Sequence, residues 1–264
     1  MMQNNQQLPL EPAKLGRVLK RGVGDIYDRL GLVIFAGFLW FVAVLVPISI
    51  GAELSRHASH VFLFVGVLAA FLLSVPLMAG VFEMARRVVM REEPSIADLK
   101  AGFTQFLGPA MKLALTDLVV TVVILVDVAF FFGRMGPKGG LHSPLLVVIG
   151  VFLVYILLAW LTMMLYHFPI LIWQKSSTTA VLKRGFLLTV DNPTFTIGLL
   201  FAIILLTILC VVTVIGMAVL FMGAAAILTT NALRELFIKY KMIEEPPEGG
   251  SSGWPQRQGT SNDG

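Results

Sequence analysis

Long apolar runs alternate with short polar segments along most of the chain. A helix that spans a membrane needs about 20 predominantly apolar residues. Six runs of roughly this length or longer lie at 30–50, 61–81, 111–132, 145–172, 195–214 and 217–237. The pattern predicts an all-α membrane protein, built as a six-helix transmembrane bundle.

The connection between the last two runs consists only of Ile215 and Gly216. Together these runs are too long for a single crossing of a hydrocarbon layer about 30 Å thick. We therefore predict two spans joined by a tight hairpin, with Gly216 at the turn. The alternative for this stretch is a re-entrant segment.

Amphipathic segments precede the first, third and fifth runs. Apolar residues recur at helical spacing within about 15–26, 95–107 and 178–190. Helices of this kind lie in the membrane interface, with their basic side chains towards anionic lipid headgroups. We predict three short interfacial helices, all on the cytoplasmic side.

The two ends of the chain differ in composition from the rest. Residues 1–12 are rich in Gln and Asn, and residues 244–264 are rich in Pro, Gly and Ser without apolar periodicity. Compositions of this kind do not build a packed core. We predict disordered tails at 1–12 and 244–264, and a single membrane domain over 13–243.

Charge sets the expected orientation. Hydrophobic residues make up 57% of the chain and charged residues only 14%, which leaves too little polar surface for a soluble protein. Of the 20 lysines and arginines, 17 lie at one side of the spans, and only Arg56, Arg134 and Lys138 lie at the other. Basic residues concentrate on the cytoplasmic side, so we predict cytoplasmic termini in a bacterial cytoplasmic membrane. Because the charges sit at helix ends rather than in one patch, we expect no nucleic-acid partner.

The sequence contains none of the motifs that mark common soluble enzymes. Cys210 is the only cysteine and lies in an apolar run, which excludes disulfides and cysteine-based metal sites within one chain. Among the four histidines, only His57 and His60 are close in sequence, and a solvated loop pair is the simplest interpretation. We therefore expect no enzyme activity, no cofactor and no metal.

Ionisable residues inside the spans are the main candidates for a site. The third run carries Asp117 and Asp127, about 80° apart around a helix and in one broad sector with Thr121. A charge near a helix centre costs about 2.5–3.5 kcal/mol, so we expect this sector to face the bundle. His167 of the fourth run lies at a similar depth to Asp117, and we predict that the two meet. The residues serve either a cation or proton path or a structural contact between helices.

A short pattern recurs three times. Residues 18–23, 98–103 and 181–186 each contain a Leu-Lys pair followed by glycine. Each copy precedes an outward run, and a return run follows. We predict three repeated units of interfacial helix, span out and span back. The alternative is chance similarity, because any interfacial helix favours these residue types.

Several short motifs occur in order along the chain. They are DRLG at 28–31, LW at 39–40, Pro47, REEPS at 91–95, KAGF at 100–103, DVAFF at 127–131, FP at 168–169 and DNP at 191–193. In this order they resemble the YesL-like family of small bacterial multi-pass membrane proteins, over about residues 15–240. Residues 48–52 follow the family pattern only loosely, and the chain has a longer tail.

The resemblance implies no known activity, but such proteins are commonly encoded near genes for polysaccharide breakdown and sugar uptake. It therefore implies an accessory or assembly factor for sugar uptake. The expected partners are the lipid bilayer and either a membrane transport complex or a second copy of the chain. The alternative function is a small-molecule or ion transporter that uses Asp117 and Asp127.

Overall fold

The computed structural model describes residues 13–135 and 144–243, and these parts are helical without any strand. Their helices are α1 (Leu15–Asp28), α2 (Leu30–His57), α3 (Val61–Val89), α4 (Ile96–Met135), α5 (Pro144–Gln174), α6 (Thr178–Asp191), α7 (Pro193–Thr213), α8 (Ile215–Val219) and α9 (Phe221–Lys239). Six of these, α2, α3, α4, α5, α7 and α9, are long and apolar enough to cross a membrane. The predicted all-α bundle of six spans is confirmed, and the chain is a multi-pass membrane protein. The tails predicted at 1–12 and 244–264 lie outside the described residues.

The three return spans, α3, α5 and α9, form the centre of the bundle and contact one another pairwise. The rings of Phe82 and Phe168 stack between α3 and α5, with 5.6 Å between their centroids. Trp173 meets Phe237 edge to face between α5 and α9. Small residues in α9 let its neighbours approach closely, and this span is buried along most of its length.

The two ends of the bundle are packed differently. At the basic end, large side chains such as Tyr166 and Leu233 are fully buried. At the opposite end, residues 61–65 of α3 are all exposed. Five consecutive residues point all around a helix with 3.6 residues per turn, so this end of α3 has few neighbours. We call the well-buried part the closed half (75–89, 110–117, 162–172 and 222–237) and the largely exposed part the open half (61–73, 118–132 and 146–161).

Each amphipathic segment packs against a return span of another unit. α1 contacts α9, the start of α4 contacts α3, and α6 contacts α5. The recurrent glycine lies at each contact, where a Cβ would meet the neighbouring span. The closest approaches of such a Cβ would be 2.5 Å to Leu228 at Gly22, 2.7 Å to the Cα of Gly80 at Gly102, and 3.1 Å to His167 at Gly185. The amphipathic segment of each unit thus packs on the preceding unit, and that of the first unit packs on the third, which closes a ring. Each unit has the predicted order of helix, span out and span back.

The second amphipathic segment is not a separate interfacial helix, so this part of the prediction is wrong. α4 runs from Ile96 to Met135 as one helix of 40 residues, which corresponds to about 60 Å. A hydrocarbon layer about 30 Å thick covers half of that length, so the first turns of α4 extend beyond it. Pro109 lies inside this helix without ending it. The first and third segments form the separate helices α1 and α6, as predicted.

A basic residue with positive φ follows each of the three return spans. The values are 59° at Arg91, 46° at Lys175 and 56° at Lys241. At α3 and α9 the amide of this residue donates to a carbonyl three residues back, and the next amide donates five residues back. This is the Schellman ending, at which glycine is the usual left-handed residue. The shared ending supports the interpretation of three repeated units.

The connection between the last two spans differs from the prediction. α7 ends at Thr213, Val214 takes a positive φ of 52°, and the short helix α8 follows before α9 begins at Phe221. The predicted two-residue hairpin is therefore replaced by a longer connection, and Gly216 lies within it, in α8. A Cβ at Gly216 would lie 2.4 Å from the Thr213 hydroxyl oxygen and 3.0 Å from the Cα of Cys210, which leaves little room for a side chain.

Candidate intramembrane polar site

Asp117 of α4 and His167 of α5 meet in the closed half. His167 Nδ1 lies 2.9 Å from Asp117 Oδ1, and the two side chains are 0% and 6% exposed. α4 and α5 pack along each other, and this brings the two residues to the same depth. The predicted contact between Asp117 and His167 is confirmed.

Trp160 and Thr121 extend this contact towards the open half. Trp160 Nε1 donates a hydrogen bond of 2.9 Å to Thr121 Oγ1. The indole also lies edge to face on the imidazole of His167, with 5.6 Å between the centroids. The sequence pattern points to Thr121 but not to Trp160. The sequence does contain a signal for Trp160, because a tryptophan inside a span needs an acceptor for its N–H, and Trp160 precedes His167 by two helical turns.

The far side of the imidazole faces α6. His167 Nε2 is buried and has no hydrogen-bond partner among the described residues. A Cβ added at Gly185 would lie 3.3 Å from it, so the glycine makes room for the ring. The hydrogen bond gives each of these two buried polar side chains a partner, which lowers the cost of burying them. The pair joins three helices and presents little surface to a ligand.

Asp127 does not join this cluster. Its side chain is exposed on the outer surface of α4, in the open half. Its neighbours Val123, Val126 and Phe130 on the same face are also exposed. Within the described parts of the chain, Asp127 has no hydrogen bond or ion pair. The expectation that the whole sector faces the bundle is wrong for Asp127, because the rotation from Asp117 carries it past the contact with α5.

A second polar cluster lies at the basic end, between α1 and α9. Asp25 is buried and accepts a hydrogen bond of 2.9 Å from Asn231 Nδ2. Glu235 lies 3.5 Å from both Arg17 and Arg21. These contacts hold α1 on α9. Asp25 is absent from the sequence predictions, although it follows the recurrent glycine by three residues and so falls on the buried stripe of α1.

Arg91 extends this second cluster towards the surface. Its Nη2 lies 3.2 Å from Asp25 Oδ1, and its Nη1 lies 3.7 Å from Asp28 Oδ2. Burial raises the pKa of the Asp25 carboxyl, while the hydrogen bond from Asn231 and the charge of Arg91 act in the opposite direction. A cavity of about 380 Å³ lies beside these groups and is lined by Asp25, Asp28, Arg29, Val88, Arg91 and Glu92.

The Asp191-Asn192-Pro193 motif connects the start of α7 to the end of α9. Asn192 Nδ2 donates a hydrogen bond of 2.8 Å to the Tyr240 hydroxyl, and Lys239 Nζ donates one of 2.5 Å to Asn192 Oδ1. The Tyr240 hydroxyl donates to the Asp191 carboxylate. These contacts within the bundle give the motif a structural role.

Comparison of the chain with family models, curated proteins and solved structures found no match. The geometry of the described residues is therefore the evidence for function. It brings Asp117, Thr121 and His167 into one enclosed cluster and leaves Asp127 outside.

Proposed function

We propose that the chain is a non-enzymatic accessory subunit that binds another membrane protein through the open half of α4. The observation that carries this proposal is the exposed Asp127 carboxyl on an apolar surface of a spanning helix. The Asp117–His167 pair inside the bundle is self-contained, whereas Asp127 needs a partner from outside the chain.

Asp127 lies inside the candidate span, near its C-terminal end. It precedes Phe132, the end of the candidate span, by five residues or about 7.5 Å along the helix axis. Side chains point towards the N-terminus of their helix, so the carboxyl points away from the nearer surface. A charge costs about 2.5–3.5 kcal/mol at a helix centre on insertion scales and less towards the helix ends, where Asp127 lies. A partner with complementary charge would offset much of this cost.

A basic side chain on a transmembrane helix of another protein is the partner that fits this surface. It would form a charge-assisted hydrogen bond with Asp127, while its helix packs on the exposed side chains of Val123 and Val126. A second copy of the chain fits less well. Symmetric pairing of two α4 helices would bring two Asp127 carboxyls together, and like charges repel.

Transport through the bundle has weaker geometric support. The alternative function uses both Asp117 and Asp127, and a single path would have to pass both. Asp117 is enclosed against His167, while Asp127 faces outwards. A path that connects them would require rearrangement of α4 against α5.

Location and orientation belong to the same proposal. We place the chain in a bacterial cytoplasmic membrane with both termini in the cytoplasm, because 17 of its 20 lysines and arginines lie on one side. The resemblance to the YesL-like family suggests a sugar-uptake complex as the assembly. Cytoplasmic reporters should work after Arg91, Lys175 or Lys241, and periplasmic reporters after Ser55 or Lys138. An active periplasmic reporter after Lys175 would contradict this orientation.

Co-purification from gently solubilised native membranes tests the contact at Asp127. We expect a specific membrane protein to accompany the wild type and the Asp127→Glu variant. Asp127→Asn should reduce its recovery about tenfold, the equivalent of about 1.4 kcal/mol in binding. Glu53→Gln is the matched control, because Glu53 is an exposed carboxylate on α2 whose ion-pair partners are Arg56 and His57. Equal recovery of the same protein with Asp127→Asn would refute docking through this residue.

A further inference from the structure

We propose that the cavity at the basic end binds a lipid headgroup that carries both a primary ammonium and a phosphate, as in phosphatidylethanolamine. The cavity, of about 380 Å³, lies between α1, the residue that precedes α2 and the end of α3. α2 begins its apolar run at Leu30, next to the lining residue Arg29, so the cavity lies at the level of the headgroups. This proposal is independent of the contact at Asp127.

Three carboxylates in the lining offer acceptors for an ammonium, namely those of Asp25, Asp28 and Glu92. Asp25 is only 3% exposed, and its Oδ1 has no hydrogen-bond partner in the described parts of the chain. The nearby Arg91 guanidinium pairs with it by charge at 3.2 Å. An ammonium group has three donors and can contact Asp25 together with a second carboxylate. Burial raises the pKa of Asp25, and a bound cation would favour its ionised form.

Two guanidinium groups in the lining offer donors for a phosphate. Arg29 is exposed and forms no ion pair within 13–135 or 144–243. Arg91 contacts Asp25 and Asp28, yet 58% of its side chain is exposed, so donors remain available. Guanidinium groups recognise phosphate oxygens through paired hydrogen bonds. The cavity thus presents both charges of a zwitterionic headgroup with complementary groups.

The backbone of Arg91 offers a way to remove its side chain without strain. Its φ of 59° places it in the left-handed position that glycine occupies most easily at the end of a helix. Lys241 has a similar φ of 56° at the end of α9 but does not line the cavity. It therefore provides a matched control.

The balance of charges predicts which lipid binds. Phosphatidylglycerol offers a phosphate but no ammonium, and its net negative charge would meet the three carboxylates. Free phosphoethanolamine carries both charges but lacks acyl chains. The exposed apolar side chains of Tyr27 and Leu30 flank the lining residues Asp28 and Arg29 in the chain and favour the lipid over the free compound.

Native mass spectrometry of the full chain in detergent tests this site, with these three compounds as probes. We expect the wild type to bind phosphatidylethanolamine about tenfold more tightly than either other probe, the equivalent of one lost charge-assisted contact. Arg91→Gly removes the guanidinium and suits the left-handed backbone. It should keep the fold and lose about tenfold in affinity for phosphatidylethanolamine, whereas Lys241→Gly should bind as the wild type does.

The outcomes separate the alternatives. Equal binding of phosphatidylethanolamine and phosphatidylglycerol, or unchanged binding by Arg91→Gly, would overturn the site. Equally tight binding of free phosphoethanolamine would overturn the lipid in favour of a soluble zwitterion. Thermal unfolding of Arg91→Gly distinguishes lost binding from lost folding. If that variant unfolds, Asp28→Asn replaces it, with the same expected loss of phosphatidylethanolamine binding.

Discussion

Asp117 and Asp127 lie on the same helix, α4, but in surroundings that differ in almost every respect. Asp117 is enclosed in the closed half, 2.9 Å from His167. Asp127 is exposed in the open half, among apolar side chains. A rotation of about 80° around the helix separates them, and α5 covers only the first. An ionisable residue in a span therefore indicates internal packing when the bundle supplies its partner, and an interaction surface when it does not.

The two halves of the bundle show the same contrast. Glycines bring neighbouring helices together in the closed half, as at Gly80, where a Cβ would lie 2.4 Å from the Leu99 carbonyl oxygen. In the open half, long apolar side chains such as Phe64 and Phe152 are more than half exposed. Asp117 thus meets His167 where packing is dense, whereas Asp127 lies exposed where packing is sparse.

Removal of the His167 imidazole from the closed half should have the largest effect on stability. His167→Ala leaves the Asp117 carboxyl buried without its partner and opens a cavity, so we expect a loss of about 3 kcal/mol. Thermal unfolding in detergent measures it. Asp117→Asn should lower the free energy of unfolding by less than His167→Ala does. The double variant should lower it by less than the sum of the two single changes. Strictly additive effects would show that the two residues act independently.

Gly102→Ala tests the dense packing of the closed half. The new Cβ would lie 2.7 Å from the Cα of Gly80 and 2.8 Å from the Cβ of Glu83, so we expect a loss of about 2 kcal/mol from overpacking. Gly24→Ala is the control, because no atom lies within 4 Å of its Cβ position. That variant should be up to about 1 kcal/mol more stable than the wild type, because alanine has a higher helix propensity than glycine. Similar changes in unfolding temperature for both would argue against close packing at Gly102.

Asp25→Asn tests a buried carboxyl of α1 at the basic end, whose ionised form is costly to bury. The folded-state pKa of Asp25 is raised, chiefly by burial, against the combined effects of Asn231, Arg91 and Arg234, while the nearby Asp28 raises it further. A raised pKa means that the stabilising contribution is full below the unfolded-state value and is lost as the pH rises through the folded-state value. Asp25→Asn should therefore equal or exceed the wild type in stability at neutral pH, and this advantage should shrink as the pH falls towards 4. An advantage that instead grows on acidification would contradict the raised pKa.

Asp127→Leu should have the smallest effect on the isolated protein, and this sharpens the contrast with Asp117. No described residue pairs with Asp127. We therefore expect the free energy of unfolding in detergent to change by no more than about 0.5 kcal/mol. Asp117→Leu serves as the comparison and should be clearly destabilising. A large loss with Asp127→Leu would reveal a role within the chain rather than at its surface.

The depth of individual residues in the membrane could be predicted from the sequence. The apolar runs place Asp117 of α4 and His167 of α5 at matching levels of an antiparallel pair, and the structure joins them. The recurrent glycines, which the sequence aligns across three segments, are all buried. These features depend on distance along a helix, and the fixed rise per residue determines that distance.

Rotation about each helix axis could not be read in the same way. Asp117 and Asp127 fall in one broad sector around the helix axis. Only the position of α5 decides that the bundle covers Asp117 and leaves Asp127 exposed. The continuity of α4 through Pro109 and the turn at Val214 depend on tertiary contacts rather than on local preference. The ion pair between Asp25 and Arg91 joins residues 66 positions apart, and no spacing rule connects them.

Photo-crosslinking in native membranes tests whether the surface around Asp127 contacts another membrane protein. A photoreactive residue at Val123 lies one turn from Asp127 on the same face, and one at Val212, 75% exposed on α7, is the control. We predict that Val123 gives a discrete adduct with another membrane protein, mapped to a transmembrane helix with Lys or Arg opposite Asp127. The adduct should disappear with Asp127→Asn and be absent at Val212. Adducts with lipid alone at both positions, or with a second copy of this chain at Val123, would contradict the account.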